Sequence, residues 1–362
     1  MRRASAARPA PRRVHGFPLP LETEPTEARL VDALPSGSGW QFEPKWDGFR
    51  CLAFRGGDDV ELRAKSGKSL TRYFPEIVAS LAALDPRQFV LDGELVIPIG
   101  NTLAFDALQN RLHPAESRIR KLARETPALL ILFDCLASAD GESLLAQPLL
   151  ERRHHLEVFF ASLRGAHRMR LTDFTRDLRL ALRWFRQARG ALDGIVAKQL
   201  DEAYHCGERA MLKAKQRRTA DCVVGGFRYA SDSREVGSLL LGLYNDAGAL
   251  DHVGFTSAIA DADRAALTKR LEKLRGEPGF TGAAPGASSR WSTERSAAWE
   301  PLEPKLVVEV QYDQVTGNRF RHGTRLLRWR PDKSPAQCRM DQMAREARPS
   351  RLMAAIIRAP AA

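Results

Sequence analysis

The apolar residues of this chain come in short runs, and that pattern limits what it can fold into. Cys51–Phe54, Phe89–Ile99, Ala128–Leu136 and Gly194–Gln199 are rich in Val, Ile, Leu or Phe and are separated by Gly, Pro, Asp and polar stretches. Such runs predict buried strands. None approaches the ~18 apolar residues that a membrane-spanning helix needs, which excludes such a span. Helical patterns lie between them. Tyr73–Leu84 sets Phe74, Ile77, Val78 and Leu81 on one face. Leu149–Leu163 and Asp173–Arg189 are Arg-rich and amphipathic, the second with Thr172 or Asp173 as N-cap and Gly190 as stop. At 362 residues and 44% hydrophobic composition, the chain has room for two domains with sizeable cores.

A different texture begins near Thr219. Cys222–Phe227, Ser238–Tyr244, His252–Ser257 and Leu306–Gln314 are strand-like, with one helix, Ala260–Leu274, among them. Residues 277–298 form a Gly/Ser/Pro-rich loop. Short strands around one inserted helix predict a small barrel of the OB type. The first fifteen residues carry five Arg and no apolar stretch, so they predict a disordered arm and not a secretory signal. The expected organisation is a basic arm at 1–17, a mixed α/β domain at 18–218, a barrel at 219–340 and a tail at 341–362, with a helix fraying after Arg339. A cleft between two such domains is the expected place for a ligand.

Lys and Arg total 56 against 44 Asp and Glu, a net charge of +12. Arg supplies 45 of the cations and Lys 11, so contact with a polyanion would rest on guanidinium forks. A basic chain permits nucleic-acid binding, and a solvated Arg-rich surface would look the same. The five Cys form no CxxC pair, which excludes a zinc ribbon and fits a reducing cytosol. Ser66-Gly67-Lys68-Ser69 is not a phosphate-binding P-loop, because Leu62 stands where that loop needs its first Gly; it predicts a polar turn. No HExxH or GxSxG occurs, and His154-His155 is a surface pair in an Arg-rich helix.

Other segments carry chemistry. In Glu43-Pro44-Lys45-Trp46-Asp47-Gly48-Phe49-Arg50 a lysine precedes a predicted strand. A lysine nucleophile must lose its proton, through desolvation or a neighbouring cation. Trp46 and Phe49 could supply apolar surroundings; Asp47 alone would hold the proton on unless a metal reversed its effect. By itself the segment is as well read as an Asp-Gly turn. Leu91-Asp92-Gly93-Glu94-Leu95 embeds carboxylates in an apolar strand. Leu192-Asp193-Gly194 does so again, with Lys198 following in strand phase. Phe133-Asp134 lies in a further apolar strand, and Lys213 and Lys215 share a face at a spacing of two. Ionisable groups in buried strands are costly unless paired or bound. Converging carboxylates and lysines would suit a metal–polyphosphate, since Mg²⁺ takes carboxylate and phosphate oxygens.

In this order the segments resemble the covalent nucleotidyltransferase superfamily, and within it the ATP-dependent DNA ligases of the bacterial LigC type and the LigD ligase domain. The resemblance covers roughly residues 20–338. It implies an α+β fold: a nucleotidyltransferase domain of ATP-grasp-like antiparallel sheets with helices, then a C-terminal OB-fold barrel. By resemblance Lys45 is the lysine that forms the phosphoramide with AMP. Arg50 contacts the nucleotide sugar, and Glu43 stands at an adenine contact. Glu94 lies near the ribose and metal, Phe133 stacks on adenine, and Asp193 binds the divalent metal. Lys213 and Lys215 hold the α-phosphate. Arg330 and Lys333, in Arg330-Pro331-Asp332-Lys333, orient the leaving pyrophosphate. Two positions depart from the pattern. Ala64-Lys65-Ser66-Gly67 stands where Ser-Arg-x-Gly is usual, so Lys65 keeps the charge without the fork. Asp193 stands for the usual Glu.

What the resemblance implies is a repair enzyme sealing nicks in duplex DNA, with ATP as substrate and Mg²⁺ or Mn²⁺ as metal. ATP is favoured over NAD⁺ because neither the nicotinamide-binding domain nor the four-Cys module of the NAD⁺ enzymes is recognisable. Ku or a repair polymerase is an expected partner, and a cytoplasmic, nucleoid-associated monomer the expected state. The rival readings are an RNA ligase or capping-type nucleotidyltransferase, and a non-catalytic nucleic-acid-binding module that retains the fold.

Overall fold

The computed structural model describes residues 16–100, 102–164, 168–187, 192–215, 217–231, 233–286, 298–343 and 357–358. Those within Met1–Trp184, Ile195–Lys213 and Ser350–Ala362 form one compact unit, and those within Phe185–Gly194 and Ala214–Pro349 another. The expected arm at 1–17 lies almost wholly outside the described residues, as do most of the tail and residues 287–297 of the predicted loop.

The strands of the first part of the chain are β1 (Ala28–Leu30), β2 (Trp40–Lys45), β3 (Phe49–Gly56), β4 (Asp59–Ala64), β5 (Gln88–Val96), the small hairpin β6 (Pro98–Ile99) and β7 (Thr102–Leu103), β8 (Leu129–Ala137), β9 (Met169–Thr172), β10 (Gly194–Gln199) and β11 (Met211–Lys215). Its helices are α1 (Pro75–Ala82), α2 (Phe105–Arg111), α3 (Glu116–Glu125), α4 (Leu149–Ser162) and α5 (Leu178–Gln187). A four-stranded sheet runs β1-β11-β10-β2, and a six-stranded sheet contains β9-β8-β5-β3-β4. The sixth strand of the latter is β20 (Ile357–Arg358), which pairs antiparallel with β9. The tail was expected to fray as a helix; a single 3-10 turn forms at Met340–Gln342, and further on Ile357–Arg358 pairs along the open backbone edge of β9.

Alternation along β3 and β5 determines which side chains share a face. Cys51, Ala53, Phe89, Leu91 and Leu95 enter a core with Ile77 and Leu81 of α1 and Phe159 and Phe160 of α4. Leu52, Phe54 and Val90 face the other way, against Leu19, Leu136 and Tyr204. Arg50, Asp92 and Glu94 have that second parity, so a spacing of two puts both carboxylates on the face away from the helices. Each fully buried Leu or Phe behind them contributes about 1.5–3 kcal/mol, which holds the charged face in place.

The helix expected over Asp173–Arg189 begins later, as α5 at Leu178. Thr175 exchanges both backbone hydrogen bonds with Phe42, at 2.8 and 2.9 Å, so the chain there is extended beside β2. The Ser66-Gly67 segment is the expected turn, with Gly67 at φ +75° and its N–H donating to Ala64 O.

The second part contains β12 (Arg218–Tyr229), β13 (Val236–Tyr244), β14 (Leu250–Thr256), α6 (Asp261–Glu272), β15 (Glu300–Pro301), β16 (Val307–Tyr312), β17 (Val315–Thr316), β18 (Arg319–Phe320) and β19 (Arg325–Trp329). One sheet runs β14-β13-β12-β16-β19, with β15 beside β12. Its core includes Phe227, Leu239, Leu241, Leu271 and Val308. The sequence predicted a barrel; among the described residues the strand path is open, and a single bridge between Thr256 and Thr324 links its two ends. Among the described residues no helix is long and apolar enough to cross a membrane.

Candidate active site

Lys45 is the last residue of β2, and the Trp46-Asp47-Gly48 turn leads directly into β3. Trp46 is buried and its Nε1 donates to Thr172 Oγ1 at 3.1 Å, which anchors the turn. Gly48 lies against β5 so closely that a Cβ there would sit 2.1 Å from Leu95 O. Its N–H donates to Glu94 Oε1 at 3.1 Å. The Lys-x-Asp-Gly spacing thus brings the turn onto the strand that carries Glu94.

A cavity of about 560 Å³ opens here. Lys45, Glu43, Arg50 and Glu94 line it, together with Phe133, Lys65 and Lys213. The structure therefore brings together seven of the residues singled out in the sequence. All belong to the first unit.

Arg50 lies across β3 from Glu94. Its Nε donates to Asp92 Oδ1 at 2.6 Å and its Nη2 to Asp92 Oδ2 at 2.5 Å. Tyr204 Oη donates to the same Oδ2 at 2.6 Å. The guanidinium lies 4.8 Å from the centre of the Phe133 ring, and the Lys198 ammonium 4.9 Å from it. Lys198 Nζ also pairs with Glu43 Oε2 at 2.8 Å, and Gln41 Nε2 donates to Glu43 Oε1 at 2.8 Å. Burial pushes the Glu94 carboxyl up to about 7, against the downward pull of Lys45 and Arg50. At the mouth, Lys65 pairs with Glu27 at 2.8 Å. That hydrogen bond holds the Glu27 carboxyl below its ordinary value against a smaller effect of burial.

The other four candidates belong to the second unit. Lys215 Nζ lies 3.2 Å from Asp193 Oδ2 and 3.0 Å from Asp313 Oδ2. Gln314 Nε2 donates to Asp193 Oδ1 at 2.9 Å. Burial lowers the Lys215 pKa, but Asp193 and Asp313 outweigh it and the net shift is upward. Arg330 and Lys333 both contact Asp221, at 2.8 and 2.6 Å.

Sequence reasoning did not assign roles to Asp92, Lys198, Tyr204, Glu27, Asp221 or Asp313. Lys198 had a visible signal, a lysine in phase on a buried strand. Tyr204, Glu27 and Asp221 had none, because their partners are distant in sequence or lie on exposed-looking loops.

The sequence pattern of the ATP dependent DNA ligase domain matches residues 26–215, and that of the ATP dependent DNA ligase C terminal region matches residues 232–333. This chain belongs to the ATP-dependent DNA ligases. Among its relatives in the family, DNA ligase C2 of Mycolicibacterium smegmatis is 42% identical over 343 residues, covering 90% of this chain and 96% of that protein. The multifunctional non-homologous end joining DNA repair protein LigD of Mycobacterium tuberculosis is 29% identical over 306 residues, covering 83% of this chain and 37% of LigD. A solved structure from a study of Lig E DNA ligases shares the fold at a TM-score of 0.53 and 15% identity, covering 84% of this chain and 99% of that one. The matched region of this ligase contains Lys45 and all the cavity residues named above.

Proposed function

We infer that this ligase seals nicks in duplex DNA through an AMP carried on Lys45. The observation that carries this is the cavity in which a lysine at a strand end meets Glu94, Arg50, Phe133 and Lys213, in a chain of this family. Lys45 Nζ attacks the α-phosphorus of ATP, forming a P–N bond as the bond to pyrophosphate breaks. The 5′-phosphate of the nick then attacks that phosphorus and returns the electron pair to the lysine. Finally the 3′-hydroxyl attacks the 5′-phosphate, and AMP leaves. Each step is an in-line transfer in which positioning and charge neutralisation do most of the catalysis.

In this reading Phe133 is the aromatic wall for the adenine and Glu43 the polar group beside it. Arg50 and Glu94 take the ribose, Lys213 and Lys215 the α-phosphate, and Arg330 and Lys333 the pyrophosphate. Lys65 contacts the nucleotide or the nick phosphate. A divalent cation, Mg²⁺ or Mn²⁺, would be held by Glu94 in the cavity; the resemblance assigns Asp193 to the metal as well, and Asp193 itself pairs with Lys215 and Gln314. The cavity lining offers carboxylate oxygens and no thiol or imidazole among the described residues, a donor set that suits a hard cation completed by phosphate oxygens. When bound, such an ion neutralises phosphate charge.

The domain reading is an adenylation domain at 18–218 and an OB-type barrel at 219–340, between a basic arm and a short tail. The bridge at Thr256 and Thr324 supports closure of that barrel, with Thr256 Oγ1 donating to Thr324 O at 2.8 Å. The biological setting is DNA repair in the cytoplasm at the nucleoid, as a monomer working beside Ku or a repair polymerase. The resemblance to LigD supports that setting.

The test is incubation with α-labelled ATP and Mg²⁺, followed by sealing of nicked DNA. A covalent label lost in Lys45→Ala, and sealing that needs ATP, are expected. Label that survives Lys45→Ala would refute the assignment of the nucleophile. Labelling from GTP, or sealing confined to RNA ends, would favour the capping or RNA-ligase alternatives, and salt-sensitive DNA binding without any label would favour a pure binding module.

A further inference from the structure

Asp221 lies in β12, opposite Glu309 of β16, and no sequence motif points to it. Its side chain is largely buried, and its two oxygens are divided between two cations. Arg330 Nη1 donates to Oδ1 at 2.8 Å, and Lys333 Nζ donates to Oδ2 at 2.6 Å. The strand position is itself clamped: Asp221 N–H donates to Gln342 Oε1 at 3.0 Å, and Gln342 Nε2 donates to Asp221 O at 3.2 Å. The turn that carries the cations is anchored by Arg330 N–H donating to Val307 O at 2.8 Å. Asp332 takes Arg330 Nε and Nη2 from the solvent side, at 3.0 and 2.9 Å.

Two like charges three residues apart on one turn repel each other and sample separate rotamers. A carboxylate between them removes that repulsion and holds both in one geometry. Arg330 and Lys333 keep 19% and 22% of their side-chain surface exposed. A guanidinium has five N–H donors and an ammonium three, more than these carboxylates take up, so both cations can still reach a phosphate while held.

We propose that Asp221 is a positioning residue for lysine adenylation, presenting Arg330 and Lys333 together to the leaving pyrophosphate. This rests on the ligase reading and adds to it a residue outside the motifs. Pyrophosphate departs only in the first of the three transfers. A residue that acts through these two cations should therefore affect that step and spare the last one.

The experiment uses the full chain and two assays: single-turnover labelling of Lys45 from α-labelled ATP, and sealing of a nick already carrying 5′-adenylate. Asp221→Asn should slow labelling about tenfold or more and leave sealing of the adenylated nick within about twofold, which also shows that the variant is folded. Asp221→Glu should recover part of the labelling rate. In a chain that already carries Arg330→Gln and Lys333→Gln, Asp221→Asn should add no further loss. Labelling by Asp221→Asn at the wild-type rate overturns the proposal. So does an equal loss in both assays, or an undiminished effect in the doubly substituted background. A wild-type chain that takes no label would instead refute the ligase reading, and the proposal with it.

Discussion

Asp92 has no exposed surface, and its carboxylate is satisfied by Arg50 and Tyr204. The carboxylate charge and the tyrosine hydroxyl differ in what their loss should do. Asp92→Asn removes the charge that balances a largely enclosed guanidinium. It should destabilise the fold by about 3 kcal/mol, at the low end for a broken buried pair because Arg50 keeps a fifth of its side chain in solvent. Tyr204→Phe removes one donor and leaves the ion pair whole, so about 1 kcal/mol is expected. Urea denaturation of both variants checks the order; equal losses would mean that the hydroxyl matters as much as the charge. At Gly48 the constraint is steric. Gly48→Ala puts a methyl against Leu95 O, and should cost about 3 kcal/mol while displacing the Lys45 turn. Labelling from ATP should fall further than the folded fraction does, and a labelling rate that simply tracks the folded fraction would contradict this.

At the scale of elements, the β14 and β18 strands trap a neutral imidazole. His252 is buried, its Nδ1 lies 3.0 Å from Arg319 Nη2, and Arg228 lies nearby. Burial first, then the two guanidinium charges, pull its pKa down to about 3. The unfolded chain therefore takes up the proton first as pH falls. The stabilisation is complete above the ordinary value near 6.5 and is lost progressively toward pH 3, with a limiting slope of about 1.4 kcal/mol per pH unit. His252→Gln should flatten the pH dependence of the urea midpoint between about pH 6.5 and about pH 4. A variant whose midpoint follows the wild-type slope would show that other groups control it. The strand assignments were legible for a related reason. Runs such as Ala128–Leu136 and Gly194–Gln199 have both faces covered, and their apolar content shows it without help from partners. The start of α5 was not legible, because the bonds that extend Thr175 come from Phe42, more than a hundred residues earlier.

At the scale of the whole molecule, the net charge of +12 and the prevalence of Arg bear on the grip on DNA. Binding of a nicked duplex should weaken at least about a hundredfold between roughly 50 and roughly 200 mM salt, with little dependence on sequence. A shallow salt slope, or strong sequence preference, would count against backbone recognition. Composition alone could not separate this from a solvated basic surface; the family match is what gives the charge a use.

The local order of residues already pointed to Lys45 and Glu94, which the structure places in the lining of one cavity. A lysine before an Asp-Gly turn, and carboxylates at a spacing of two in an apolar strand, already state which side chains share a face, because strand geometry repeats every two residues. Only the tertiary structure decided who neutralises whom. Lys198 on Glu43, Tyr204 on Asp92, and Asp221 between Arg330 and Lys333 each join residues far apart in the chain. Ion pairing depends on distance through space and on exclusion of water, and neither is a property of a linear segment.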